Sequence, residues 1–207
     1  MGSTLVARRA GRYVARRMTA IPAAILYVSP TQINFQVPGG VGIGSIAQVI
    51  VIRDGLPGES FELEVKPDAF GLFSYFRAAG TPDQSRDPVI VHVDNQLVTP
   101  DNPAKPSQVL VAYGTGVSSL NNPPADAQAS PADPPSTCSI TPLVTVRTDQ
   151  ASAPVNVLYR GLTANFLSLI QLNLELTNRP PGANPMLFVK FGEADESAGV
   201  PLYFVEE

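Results

Sequence analysis

Residues 29–40, SPTQINFQVPGG, alternate without a break: Ile33, Phe35 and Val37 are apolar, while Gln32, Asn34 and Gln36 are amides. A period of two places the apolar set on one face of a strand and the amides on the other. The same rhythm returns in LIQLNLELTNRPPG, residues 169–182. Working outward, ILY and QINFQV (25–37) align with VLY and QLNLEL (157–176), so that Tyr27 answers to Tyr159, Gln32 to Gln171 and Asn34 to Asn173. Downstream, VIVIRDG (49–55) aligns with LFVKFGE (187–193), and FELEV (61–65) with PLYFV (201–205). The interval from Asn34 to Val65 is 31 residues and that from Asn173 to Val205 is 32, so a run of four strands is repeated at nearly constant spacing.

Strands with one dry face close most simply as sheet on sheet. The expected fold is all-β, with two immunoglobulin-like β-sandwich units in tandem, the first lacking its N-terminal strands. Residues 1–20 read as a basic leader, 21–105 as the incomplete first unit with a connecting hairpin, and 106–207 as the second unit. Two further strands, 109–113 and 143–147, precede the second copy and complete it. The first copy is preceded only by the leader, which leaves an open edge: residues 1–20 stand where strands of the unit would be expected, or another chain or the second unit covers the gap. The one helix-like stretch outside the leader, 162–169, reads as a turn or short helix. Residues 121–137, rich in proline, alanine and aspartate, read as an exposed loop.

Composition narrows the function classes. The chain of 207 residues is 44% hydrophobic and 15% charged, as a folded protein is, and its 21 prolines and 16 glycines suit many short strands. Five of its fourteen basic residues, Arg8, Arg9, Arg12, Arg16 and Arg17, fall in the acid-free leader. The remainder sets nine basic side chains against eighteen acidic ones, and such a body repels phosphate, excluding nucleic acid as its partner. Arg8, Arg12 and Arg16 would align on one face of a helix, as in a transit peptide or membrane-surface helix; an expression leader is the plainer account. No run of 18 apolar residues spans a membrane, and no secretory signal is visible. The single cysteine, Cys138, excludes an internal disulfide and a cysteine-based zinc cluster.

His92 is the sole histidine, so a Ser-His-Asp triad must use it, with Asp94 beside it and Ser118 as nucleophile. Against this, no G-x-S-x-G elbow is present, and His92 fits the polar side of a hairpin. The GTG at 114–116 lacks the ending of a phosphate loop and reads as a bend where the chain leaves a sheet. Asp83 and Asp87 with Asp94 and Asp101, or Glu193 and Asp195 with Glu196, offer oxygen ligands for calcium without following a calcium-loop pattern. A carboxylate pair for glycoside hydrolysis needs no sequence proximity. Tyr27, Gln32, Asn34, Tyr159, Gln171 and Asn173 form a candidate binding set, in which amides meet sugar hydroxyls and a tyrosine stacks on a ring. The alternative for the same amides is structural, fixing a corner of the fold.

In order along the chain, ILYVSPTQINFQVP, GLFSYF, NPAKPSQVLVAYGTGVSS, APVNVLYRGL and IQLNLEL resemble the Solibacter-type C-terminal domain, a module at the ends of many large exported acidobacterial proteins. The resemblance runs from about Ile21 to Val205. It implies a pair of immunoglobulin-like repeats at the cell surface or outside the cell, with no established activity, no cofactor and no catalytic residue to carry over. The expected function is therefore a non-catalytic module for docking, adhesion or spacing. Its expected partner is a protein or polysaccharide, or a further copy bound through an open strand edge. A small hydrolase using His92 or a carboxylate pair, and a carbohydrate-binding module, are the alternatives.

Overall fold

The computed structural model describes the backbone of residues 3–9 and, with side chains, residues 20–76 and 86–205. It is all-β: among these residues there is no helix, and the strands form several sheets, none of them closed. The chain divides into two units, residues 1–67 with 124–129, and residues 68–123 with 130–207. Within residues 68–92, expected from the sequence in the unit 21–105, the strands Asp68–Leu72 and Ile90–His92 pair with the strand Val109–Val117 of the second unit.

The first unit holds β1 (Ser3–Arg9), β2 (Ile21–Val28), β3 (Ile33–Gln36), β4 (Ile46–Arg53) and β5 (Leu56–Glu64). They make one antiparallel sheet in the order β3-β2-β1-β4-β5. Residues 3–9 of the basic leader are thus a central strand, paired to β2 on one side and to β4 on the other, and not part of an arginine-faced helix. The physical reason is the pairing itself, since a strand between two edges satisfies backbone groups that both neighbours would otherwise leave open. Arg12, Arg16 and Arg17 lie outside the described residues. Between β4 and β5 the chain turns on Asp54 and Gly55, with φ of 51° and 80°. Positive φ at both central residues is the tight hairpin turn whose twist matches that of the strands, which is why an Asp-Gly pair stands there. Burial in this unit is thin. Val41 and Ala47 form its small buried cluster, with Ile21 and Val65 packed beside them and Ala23 buried on β2, while every residue of β5 is exposed.

The second unit begins with β6 (Asp68–Leu72), β7 (Ser74–Phe76), β8 (Arg86–Pro88), β9 (Ile90–His92), β10 (Val109–Val117), β11 (Leu120–Asn121) and β12 (Thr137–Cys138). It continues with β13 (Leu143–Arg147), β14 (Ser152–Pro154), β15 (Asn156–Leu162), β16 (Ile170–Glu175), β17 (Met186–Lys190) and β18 (Val200–Pro201). Seven strands form one sheet, in the order β11-β12-β15-β16-β10-β6 with β9 also on β10; four form another, β14-β13-β17-β18; β7 and β8 pair alone. The residues between β15 and β16 are turns, with no helix.

Alternation becomes burial here. Leu172 and Leu174 of β16 and Leu110 and Ala112 of β10 share one buried cluster with Val144, Val146, Leu187 and Val189 from the four-stranded sheet. Phe70 and Phe191 meet within it, ring centres 5.4 Å apart. Each such aliphatic side chain contributes about 1.5–3 kcal/mol on leaving water, so the second unit carries most of the chain's apolar cohesion.

Gly114 marks a close approach. A Cβ there would stand 2.5 Å from the Gly71 carbonyl oxygen and 2.6 Å from the Phe70 ring, and at Gly116, with φ of 94°, it would meet the Ala69 carbonyl. The GTG therefore admits the backbone of β6 across an irregular register, and β10 continues to Val117 instead of leaving the sheet.

Candidate functional site

The amides of the two hairpins recur in space as well as in sequence. The β2–β3 and β15–β16 hairpins have matching registers: Tyr27 lies opposite Asn34, and Tyr159 opposite Asn173. In both, the residue before the tyrosine is an extra one, a bulge at Leu26 and at Leu158, and both leucines are exposed. A bulge shifts the inside-outside phase of the strand by one residue, which sets each tyrosine beside the amide face. On that face Gln32 Nε2 donates to Asn34 Oδ1 at 2.6 Å, and Gln171 Nε2 donates to Asn173 Oδ1 at 2.9 Å.

Their surroundings complete the account of why amides stand there. Gln36 Oε1 accepts the N–H of Ala127 at 2.8 Å, while Asp126 accepts the N–H of Gly39 at 3.0 Å, so the segment 124–129 is tied to the first unit by side chains. Thr163 Oγ1 donates to Gln171 Oε1 at 3.4 Å, and Asn156 Nδ2 donates to Glu175 at 3.0 Å. Tyr159 OH donates to the Leu162 carbonyl at 3.0 Å, and burial holds its phenol above the usual 10.0, with Cys138 adding to the shift. Tyr27 differs, being 52% exposed. On each strand face the amide donor and acceptor satisfy each other.

His92, Ser118 and Asp94 are each occupied separately. His92 Nε2–H donates to the Asn102 carbonyl at 3.2 Å, which fixes a neighbouring turn. Asp94 Oδ1 accepts the Gln96 N–H at 3.0 Å and caps the hairpin after β9. His92 lies opposite Leu110, and Ser118 follows the far end of β10. Eight residues of strand at about 3.3 Å each put them on the order of 25 Å apart. The partner of the serines is Asp68, which no sequence pattern marked. Its buried carboxylate accepts the N–H of Ser118 at 2.9 Å, the N–H of Ser119 at 3.2 Å and the Ser119 hydroxyl at 2.7 Å. A carboxylate accepting from three donors pins the chain as it leaves β10.

The calcium candidates are dispersed. Asp83 lies outside the described residues. Asp87 is buried and accepts the Tyr203 hydroxyl at 2.7 Å, tying β8 to the C-terminal segment. Glu193 and Asp195 are on an exposed loop, and their neighbour Glu196 pairs with both terminal nitrogens of Arg147, whose guanidinium also lies 4.3 Å over the Phe188 ring. Among the described residues no three carboxylate, histidine or cysteine side chains converge as a metal would require.

Cys138 is fully buried, and burial pushes its thiol from 9.0 up to about 11, with the Arg160 guanidinium opposing that rise. Burial thus disfavours the thiolate, the nucleophilic form. An open apolar hollow of about 310 Å³ is bounded by Phe73, Val89, Tyr113, Thr163, Phe166 and Leu169, none of which belongs to the candidate sets. Asp68 and Tyr203 were missed in the sequence because their partners are 51 and 116 residues distant. No local spacing could disclose them.

No family model, no curated protein and no solved structure matches this chain. Among the described residues no helix is long and apolar enough to cross a membrane.

Proposed function

We propose that this chain is a non-catalytic exported or cell-surface module of the immunoglobulin-like β-sandwich kind, which docks, spaces or adheres within a larger protein. The observation that carries the reading is the open five-stranded sheet of the first unit, whose edge strands β3 and β5 each have, among the described residues, a partner on one side only. Such edges offer rows of backbone N–H and C=O groups, the means by which proteins add a partner's strand. The exposed apolar side chains of this sheet, Leu56 at 73% and Phe61 at 72%, support the same reading, since large uncovered apolar groups mark interaction surfaces. The sequence resemblance to the Solibacter-type domain points the same way. The ligand chemistry is main-chain pairing with a protein partner.

A broad hydrolase screen of the wild type and of His92→Ala tests this against the enzyme class. The expected result is no turnover by either protein. Turnover that disappears with His92→Ala would replace the module with a small hydrolase.

A further inference from the structure

The second unit supplies a template for what the open edge of the first accepts. In the second unit the amide strand β16 lies between β15 and β10. Val109 faces Glu175, Leu110 faces Leu174, Val111 faces Asn173, Ala112 faces Leu172 and Tyr113 faces Gln171, all antiparallel. In the first unit the matching strand β3 has β2 on one side, and its other edge has no backbone partner among the described residues. Gln36, Phe35, Asn34, Ile33 and Gln32 stand where Glu175, Leu174, Asn173, Leu172 and Gln171 stand in β16. Phe35 and Ile33 are only partly buried, whereas Leu174 and Leu172, flanked by β10, are 1% and 0% exposed.

Charge separates the two edges of the first sheet. β5 carries Glu59, Glu62 and Glu64, and carboxylates along an edge keep a further strand away. Residues 29–37, which include β3, carry no charge. The guarded edge and the unguarded one are thus distinguished by the sequence itself, and an uncharged strand fits the second.

We propose that the free edge of β3 accepts an extended, uncharged strand of the β10 kind from a partner polypeptide, antiparallel and in the register that β10 takes on β16. This rests on the docking-module reading above and gives it an address. The incoming strand sets two apolar side chains, two residues apart, beside Phe35 and Ile33, where a charge would be stripped of water without compensation. Its other face meets Gln32, Asn34 and Gln36, where β10 presents the partly buried Val109, Val111 and Tyr113 to the matching residues of β16.

The test titrates the intact protein with a synthetic peptide of residues 107–117, SQVLVAYGTGV, and locates binding by amide hydrogen exchange. Saturable binding with slowed exchange confined to residues 32–37 is expected. The peptide carrying Leu110→Asp and Ala112→Asp should bind at least about tenfold more weakly, as should a scrambled peptide that breaks the alternation. Because the changes are in the peptide, misfolding of the protein cannot imitate the result. Equal binding of all three peptides, protection placed on β5, or no binding would overturn the proposal while leaving docking elsewhere open. β3 amides already protected in a dimer without peptide would assign the edge to a second copy, and overturn it too. Turnover in the hydrolase screen would remove the module reading whatever the peptide does.

Discussion

Ile33 and Leu172 hold matching places in two hairpins of the same register, yet one is partly exposed and the other is fully buried between two sheets. Replacing each by alanine removes three carbons. At Leu172 that forfeits about 0.8 kcal/mol of transfer free energy per carbon, about 2.4 kcal/mol, and leaves a cavity whose cost brings the total to about 3 kcal/mol or more. At Ile33 part of that transfer was never realised and the site opens to water, so about 1 kcal/mol is expected. A single melting temperature would blur two units that need not unfold together. Amide hydrogen exchange resolved by segment reads them separately: Leu172→Ala should lower protection across β10, β15 and β16, and Ile33→Ala should act on β2 and β3 alone. Equal losses at the two positions would refute the unequal burial on which this account of the units is built.

Two further outcomes follow from the polar contacts. In a double-mutant cycle on Gln171→Ala and Asn173→Ala, the partly buried amide pair at 2.9 Å should show a coupling of about 1 kcal/mol, and the exposed pair Gln32 and Asn34 less; urea unfolding of the wild type and of the two single variants and the double variant of each cycle measures it. The Cys138 thiol, raised from 9.0 to about 11 in the fold, stabilises the native state fully below pH 9, and that contribution is lost as pH rises through about 11. The interval is worth roughly 2 to 3 kcal/mol at 1.36 kcal/mol per pH unit. Cys138→Ala should flatten the stability profile over that window, and alkaline urea titrations of the two proteins would show it; Tyr159, also held above its usual 10.0, accounts for a residual slope at the top.

Period-two patterning placed most strands, because inside-outside alternation is a property of the backbone and needs no knowledge of the neighbours. Residues 143–147 form β13 and 170–176 contain β16 for that reason, and the recurrence of the Gln-x-Asn strand with a preceding tyrosine was legible, though not that the tyrosine lies opposite the asparagine. The amide-to-amide hydrogen bond was not, since a sequence states which groups can bond but not which alternative the strand geometry favours. The same holds for the leader: five arginines suggested a helix face or a tag, and only pairing with β2 and β4 made residues 3–9 a central strand. The GTG at 114–116 was read as an exit from the sheet, but it is the approach of Gly71 and Ala69 from a strand about forty residues earlier that calls for glycine.

What the sequence determined by itself was the all-β character, the recurrence of the hairpin and the absence of any local catalytic signature. Tertiary structure decided which alternating faces were covered, which partners Asp68, Asp87 and His92 would take, and which edge stayed open. The division has one physical cause. Alternation and turn chemistry act over a few residues, whereas burial and long-range hydrogen bonds depend on which distant strand arrives alongside.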